Sequence, residues 1–163
     1  RIEWWFVAEP EREVEWPKEE KLKGSPEKMR KPMKLKELDA ALDEQNEELQ
    51  SLGEPTLLQQ EGVAARLYTG PMFERYNPVL RGFPKGALDA CKGNRYVTTI
   101  HVINSAIVKA SKLTKVAKVY RGVAGGVLPE AFFTPNAQGA RGGVEKAFLS
   151  TTFDREVAMH YAS

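Results

Sequence analysis

Arg121 is the residue from which chemistry can be read first. It stands in a largely apolar run, Val116 to Val123, whose other charge is Lys118, whose Val116, Val119, Tyr120 and Val123 are β-branched or aromatic, and which Gly125-Gly126 closes. This pattern predicts a short strand. An arginine in a strand is costly to bury unless an anion or carboxylate meets it. Its planar fork suits a phosphate or diphosphate, which accepts paired hydrogen bonds. A second apolar run, Ala147 to Thr152, ends in Ser150-Thr151-Thr152, 29 residues beyond the arginine. Short hydroxyls and backbone N–H groups at a strand end suit a ribose or a carboxamide. Asp154 is placed to cap a helix over Arg155 to Tyr161, whose N-terminus adds a positive dipole end. Two such strands side by side would frame a nucleotide cleft. Spacing alone equally allows an edge-strand arginine in water and hydroxyls that only cap a helix.

These residues carry a likeness that favours the cleft. Val119-Tyr120-Arg121-Gly122, followed by Phe148-Leu149-Ser150-Thr151-Thr152, resembles the first two signatures of the arginine-specific mono-ADP-ribosyltransferases, a family marked by an Arg, a Ser-Thr-Ser and a Glu-x-Glu. Upstream, Tyr68-Thr69-Gly70, Tyr76-Asn77 and Leu80-Arg81 resemble the helical segment that precedes the strand arginine in that family. The three motifs stand in the family's order and span roughly Glu54 to Ser163. The resemblance implies an α+β fold, an N-terminal helical lobe packed on a mixed β-sandwich, with the C-terminal part truncated. It also implies NAD, or NADP, as the substrate: the nicotinamide–ribose bond is cleaved, and ADP-ribose passes to a protein arginine.

By the same resemblance, Arg121 holds the diphosphate, with Gly122 beside it. Ser150 supports the ribose and the catalytic carboxylate, and Thr151 and Thr152 complete a hydroxyl ledge. Thr152 departs from the family's second serine but keeps the hydroxyl. Tyr161 takes the place of an aromatic that stacks on nicotinamide, although it is also the obvious inward residue of its own helix. Tyr68, Tyr76, Asn77 and Arg81 are ligand-side candidates, the two tyrosines being equally readable as core residues with wet hydroxyls. The transition state is oxocarbenium-like, so positioning and electrostatics dominate. Neither Glu145 nor Glu156 stands in a Glu-x-Glu context. The chain opens on Arg1 and closes at Ser163 inside a helical pattern, which predicts a piece of a longer protein, with the third signature beyond Ser163. Loss of a charge-stabilising group costs about 2.7–4 kcal/mol of transition-state stabilisation. These 163 residues are therefore expected to be nearly inactive on their own. The alternative is an inactive relative that binds a nucleotide or a partner protein.

Composition bounds the reading more loosely. A hydrophobic share of 42% and a charged share of 28% are ordinary for a globular chain. The net charge of +2 hides an asymmetry. Arg1 to Glu54 carry 10 basic and 15 acidic residues, and the remainder carries 14 and 7. The basic part fits an anionic ligand. Its cations at Lys109, Lys112, Lys115, Lys118 and Arg121 lack the interleaved aromatics of a nucleic-acid surface. Cys91 is the only cysteine, which favours a reducing, cytoplasmic setting. With His101 and His160 it makes no zinc-type spacing, so no metal is expected. No run approaches bilayer length, so no membrane partner is expected either.

Along the chain, residues 1–33 read as a charged extension or linker with four prolines, partly disordered from Glu9 to Pro32. Its Trp4, Trp5 and Trp16 pack on the domain surface or serve a partner, including flanking domains of a longer protein. Residues 34–163 form the partial transferase domain, divided into a helical lobe, 34–113, and the start of the NAD-binding sheet, 114–163. Lys34 to Leu52 predicts a helix with Leu35, Leu38, Leu42 and Leu49 inward and Gly53 as its stop. A second helix is expected from Glu54-Pro55 to Gly70, and a third from Pro71 with a kink at Pro78. Residues 82–95 read as loop. A helix capped by Thr98 or Thr99 runs to about Leu113, with Ile100, Ile103, Ile107 and Val108 inward and His101 outward. Residues 125–143 read as a lid or an insertion, with Phe132-Phe133 tucked beneath it.

Overall fold

The computed structural model describes residues 33–123 and 125–162. The tryptophans at 4, 5 and 16 and the predicted linker fall outside them. Contacts divide the chain into two units, Arg1–Thr114 and Lys115–Ser163.

The first unit is helical because its apolar residues recur at helical spacing and its chain ends are locally capped. Helix α1 is Leu35–Ser51, with Leu38 and Leu49 buried and Leu35 and Leu42 half-buried. It stops where Gly53 takes a φ of +71°, which a side chain would resist. Gly53 N then donates to Gln50 O and Glu54 N to Leu49 O, the paired bonds of a Schellman stop.

Helix α2 is Gln59–Leu67, starting later than Glu54-Pro55 predicts. Side chains hold the intervening residues out of the helix. Asn46 donates from Nδ2 to Leu57 O at 3.0 Å and accepts from Leu57 N at 2.6 Å, replacing a backbone partner on both sides. Glu61 accepts from Leu58 N at 2.8 Å, which is the carboxylate half of a capping box; leucine has no acceptor to supply the other half. Gly62 lets α2 lie close on α1, since a Cβ there would press on the Leu42 methyls.

One wide turn, Tyr68–Met72, bends at Gly70 and leads into α3, Phe73–Arg81, which contains Pro78 and ends at Gly82 with φ +80°. Residues 82–95, expected as loop, contain a short helix α4, Lys85–Asp89. Helix α5 is Val97–Ala110, extended by a 3₁₀ turn, Ser111–Leu113. It begins after Tyr96, whose φ is +49°, so its N-cap lies two residues before Thr98 and three before Thr99, the predicted caps. Its buried residues are Ile103 and Ala106, whereas Ile107 and Val108, expected inward, are 49% and 57% exposed. The rotation follows from α2, against which α5 packs, because Ser105 and Lys109 turn toward Glu61. The core of the unit contains Leu38, Leu49, Leu67, Met72, Tyr76 and Ile103.

The second unit corrects the predicted α+β class. Among the described residues there is no strand and no sheet, so neither a mixed β-sandwich nor the start of one is present. The runs Val116–Val123 and Ala147–Thr152 do meet, in antiparallel sense, but at one pair only. Tyr120 N donates to Thr152 O at 2.8 Å and Thr152 N to Tyr120 O at 2.9 Å. A ladder needs several successive pairs. Here no backbone bond joins the flanking residues across the two runs, and Val116, Val119, Val123, Leu149 and Phe153 are exposed. Apolar alternation marked extended chain but not a sheet.

Residues 130–142 form a self-braced loop around a 3₁₀ turn, Glu130–Phe132. Asn136 Oδ1 accepts from Gln138 N and Ala140 N, both at 2.9 Å, and Gly142 N closes on Ala131 O at 2.7 Å. Phe133 is 63% exposed, not tucked beneath the loop. The last helix, α6, is Arg155–His160, with Asp154 Oδ1 accepting from Glu156 N at 2.8 Å, as its cap position predicts.

Candidate functional site

The second unit gathers the residues of the two signatures. Arg121 reaches across from the first run to the second, where Nη1 donates to Ser150 O at 2.8 Å and to Ser150 Oγ at 3.3 Å. One nitrogen of the guanidinium is thus anchored on main chain. Among the described residues, the Nε and Nη2 edge makes no hydrogen bond and remains open for an oxyanion. Arg121, Ser150 and Thr151 are exposed, and Thr152 is half-buried. Thr152 is committed twice: its main chain pairs with Tyr120, and its Oγ1 accepts from Asp154 N at 3.1 Å. Of the three hydroxyls, Ser150's meets Arg121, Thr152's holds the turn into α6, and Thr151's makes no hydrogen bond among the described residues.

Gly122 has a structural explanation that its sequence position did not suggest. A Cβ on this residue would fall inside the contact radius of the Ala158 carbonyl oxygen and lie 2.8 Å from Tyr161 Cβ. Only a residue without a side chain lets the Arg121 segment sit this close to α6. Gly122 therefore seats α6, and through it Tyr161, which is 47% exposed at the helix end. His160 and Tyr161 meet edge to face at 5.8 Å. Ala158 is the buried apolar residue of this unit among the described residues.

The first unit places its candidates differently. Tyr76 is fully buried and meets Tyr96 edge to face at 5.3 Å, so it has no surface to offer a ligand. Asn77 is 5% exposed, and its Oδ1 is buried without a hydrogen-bond partner among the described residues. Such a group costs on the order of 1–3 kcal/mol. Tyr68 and Arg81 are half-buried.

Sequence reasoning missed a polar cluster in this unit. Glu61, 3% exposed, accepts from Ser105 Oγ at 2.6 Å, from Leu58 N at 2.8 Å and from Lys109 Nζ at 2.9 Å. Lys109 also donates to Thr56 O at 2.8 Å. Burial pushes the Glu61 carboxyl up, but the bonds from Ser105, Leu58 and Lys109, with the lysine's charge, outweigh it and hold the carboxyl below its ordinary value. Both carboxylate oxygens have a donor, so the cluster ties α2, α5 and the 54–58 turn together. The available signal was Glu61 itself, a carboxylate standing at a helical position among Leu58, Ala64 and Ala65.

Among the described residues no three His, Cys, Asp or Glu side chains converge to hold a metal. No helix among them is long and apolar enough to cross a membrane. No protein-family model, curated protein or solved structure significantly matches the chain.

Proposed function

We propose that the chain contributes the dinucleotide-gripping part of an NAD-dependent mono-ADP-ribosyltransferase that modifies protein arginine. One observation carries the reading. Two motifs 29 residues apart are joined by the Arg121–Ser150 bonds, with the second edge of the guanidinium open to solvent. A fork fixed on one side and free on the other is pre-organised for a diphosphate, because little side-chain freedom is lost on binding.

In this reading, the Nε/Nη2 edge of Arg121 donates to the paired phosphates. The Ser150 and Thr151 hydroxyls orient the nicotinamide ribose, and Tyr161 covers the nicotinamide. The glycosidic bond between ribose C1′ and the nicotinamide nitrogen breaks, and its electron pair leaves with nicotinamide. A guanidinium nitrogen of the acceptor then bonds to C1′ and gives up a proton. The residues here supply binding and orientation, worth several kcal/mol of barrier when a near-attack geometry is held. No glutamate of this chain is assigned the charge-stabilising role.

Binding is therefore the decisive measurement. Calorimetric titration with NAD is expected to give saturable binding, and Arg121→Lys, which keeps the charge but loses the fork, to weaken it at least tenfold. Equal affinity in the two proteins, or no saturable binding in the parent, would sink the proposal.

A further inference from the structure

We propose that Ser150 is a phosphorylation site, at which a protein kinase redirects Arg121 from the dinucleotide to an internal phosphate. The inference rests on the function proposed above for its consequence, though not for its chemistry.

Three adjacent hydroxyls compete for this role, and the structure separates them. Thr152 is half-buried, and its hydroxyl and backbone are both engaged. Thr151 is exposed, but no cation is bonded to its side chain among the described residues. Ser150 is exposed, and its Oγ already lies 3.3 Å from Arg121 Nη1. Among the described residues, Ser150 N donates to no backbone carbonyl, and the residues before it, 144–149, belong to no helix or strand. A kinase requires a hydroxyl on chain that can be presented extended, and this stretch offers one.

The step is ordinary phosphoryl transfer. Ser150 Oγ attacks the γ-phosphorus of a nucleoside triphosphate, and its proton passes to the kinase's base. The bond from that phosphorus to the bridging oxygen breaks, and the electron pair leaves with the nucleoside diphosphate. The product carries about −1.5 to −2 charges at neutral pH and three strong acceptor oxygens. Its nearest donor is the guanidinium already resting on Ser150. Bonds from the cation to neutral oxygens are replaced by paired bonds between opposite charges, with the geometry that favours bidentate contact. To meet this phosphate with two nitrogens the guanidinium turns off the Ser150 carbonyl, and its Nε/Nη2 edge is no longer held where an incoming diphosphate needs it.

Two measurements on the full chain with phosphoserine installed at position 150 test the proposal. In a ³¹P titration the phosphate is expected to have a lower second pKa than in the same protein carrying Arg121→Gln. An identical pKa in the two proteins would overturn the pairing. Calorimetry is expected to show NAD affinity reduced at least tenfold by the phosphate; unchanged affinity would overturn the switch. If the unmodified chain does not bind NAD, the proposed function fails, and the phosphorus titration still decides whether Arg121 captures the phosphate. Mass spectrometry of the protein from its own cells completes the test. Phosphate at Ser150 supports the proposal, and a fully covered peptide that never carries it refutes it.

Discussion

The two units use charge in opposite ways. In the first, Lys109 and Glu61 meet in the interior, their side chains 20% and 4% exposed, with every contact supplied by the protein. In the second, Arg121 lies open to water, is held by Ser150 through one nitrogen, and has no carboxylate partner among the described residues. A satisfied buried pair has nothing left to offer a ligand, and its task is to fix the helices that share it. A half-satisfied exposed fork is weak glue but a ready binding group. A perturbed carboxyl therefore points, in this protein, to architecture rather than chemistry, a known limit on reading function from pKa.

Substitutions sharpen the contrast. The largest effect is expected from Lys109→Met, which leaves the Glu61 carboxylate buried without its counter-charge. Breaking a buried pair this way costs roughly 3–5 kcal/mol, and partial exposure of the lysine places the expected loss near the lower figure. Urea midpoints read it, and Glu61→Gln in the same chain should recover part of it. A loss below about 1 kcal/mol would show that the cluster is not what secures the helices.

Gly122→Ala comes next. Its methyl would meet the main chain of α6, which cannot step aside as a side chain could. Overpacking typically costs about 1–3 kcal/mol. Hydrogen exchange should speed up over Arg155–His160 while the amides of α1 and α5 keep their protection. Equal protection of α6 in both proteins would remove Gly122 from its assigned place as the helix seat.

Asp154→Ala removes the side-chain cap of a six-residue helix. About 1 kcal/mol is expected, read by the same exchange experiment. Acid has the smallest effect at ordinary pH. The Glu61 carboxyl is depressed in the folded chain, so its contribution is complete above the unfolded carboxylate pKa of ~4.3 and disappears as pH falls through the lower folded value. Parent and Lys109→Met stabilities should therefore converge as pH falls below ~4.3. A difference that stays constant to the end of the acid limb would mean that Glu61 is not the group being titrated.

Some of this was legible without coordinates. The leucine spacing of α1 and the Gly53 stop suffice to place that helix, because a helix closes its hydrogen bonds within its own segment. Asp154 announces α6 for the same local reason. The start of α2 was misplaced because Asn46, 11 residues earlier, holds Leu57, and propensity does not register such a clamp. The inward face of α5 was misjudged because Ile107 and Val108 are as apolar as Ile103; the Glu61 contacts with Ser105 and Lys109 choose between them. The sheet failed for a deeper reason. Val119, Tyr120 and Leu149 have the right side chains for strands, yet a strand exists only when another lies in register beside it, and one pair is all that forms here.

What the amino-acid order determined by itself is therefore local: α1 and α6, the Gly53 stop, the Asp154 cap, and the presence of one arginine and three hydroxyls suited to a common ligand. Tertiary structure alone decided that Arg121 and Ser150 touch, that Gly122 faces α6, that Tyr76 is buried, and that Glu61 is paired. Each of these depends on chain segments distant in sequence meeting at a few ångströms. Periodicity cannot encode that distance, because a residue's type fixes what it can bond and not which partner the fold will bring to it.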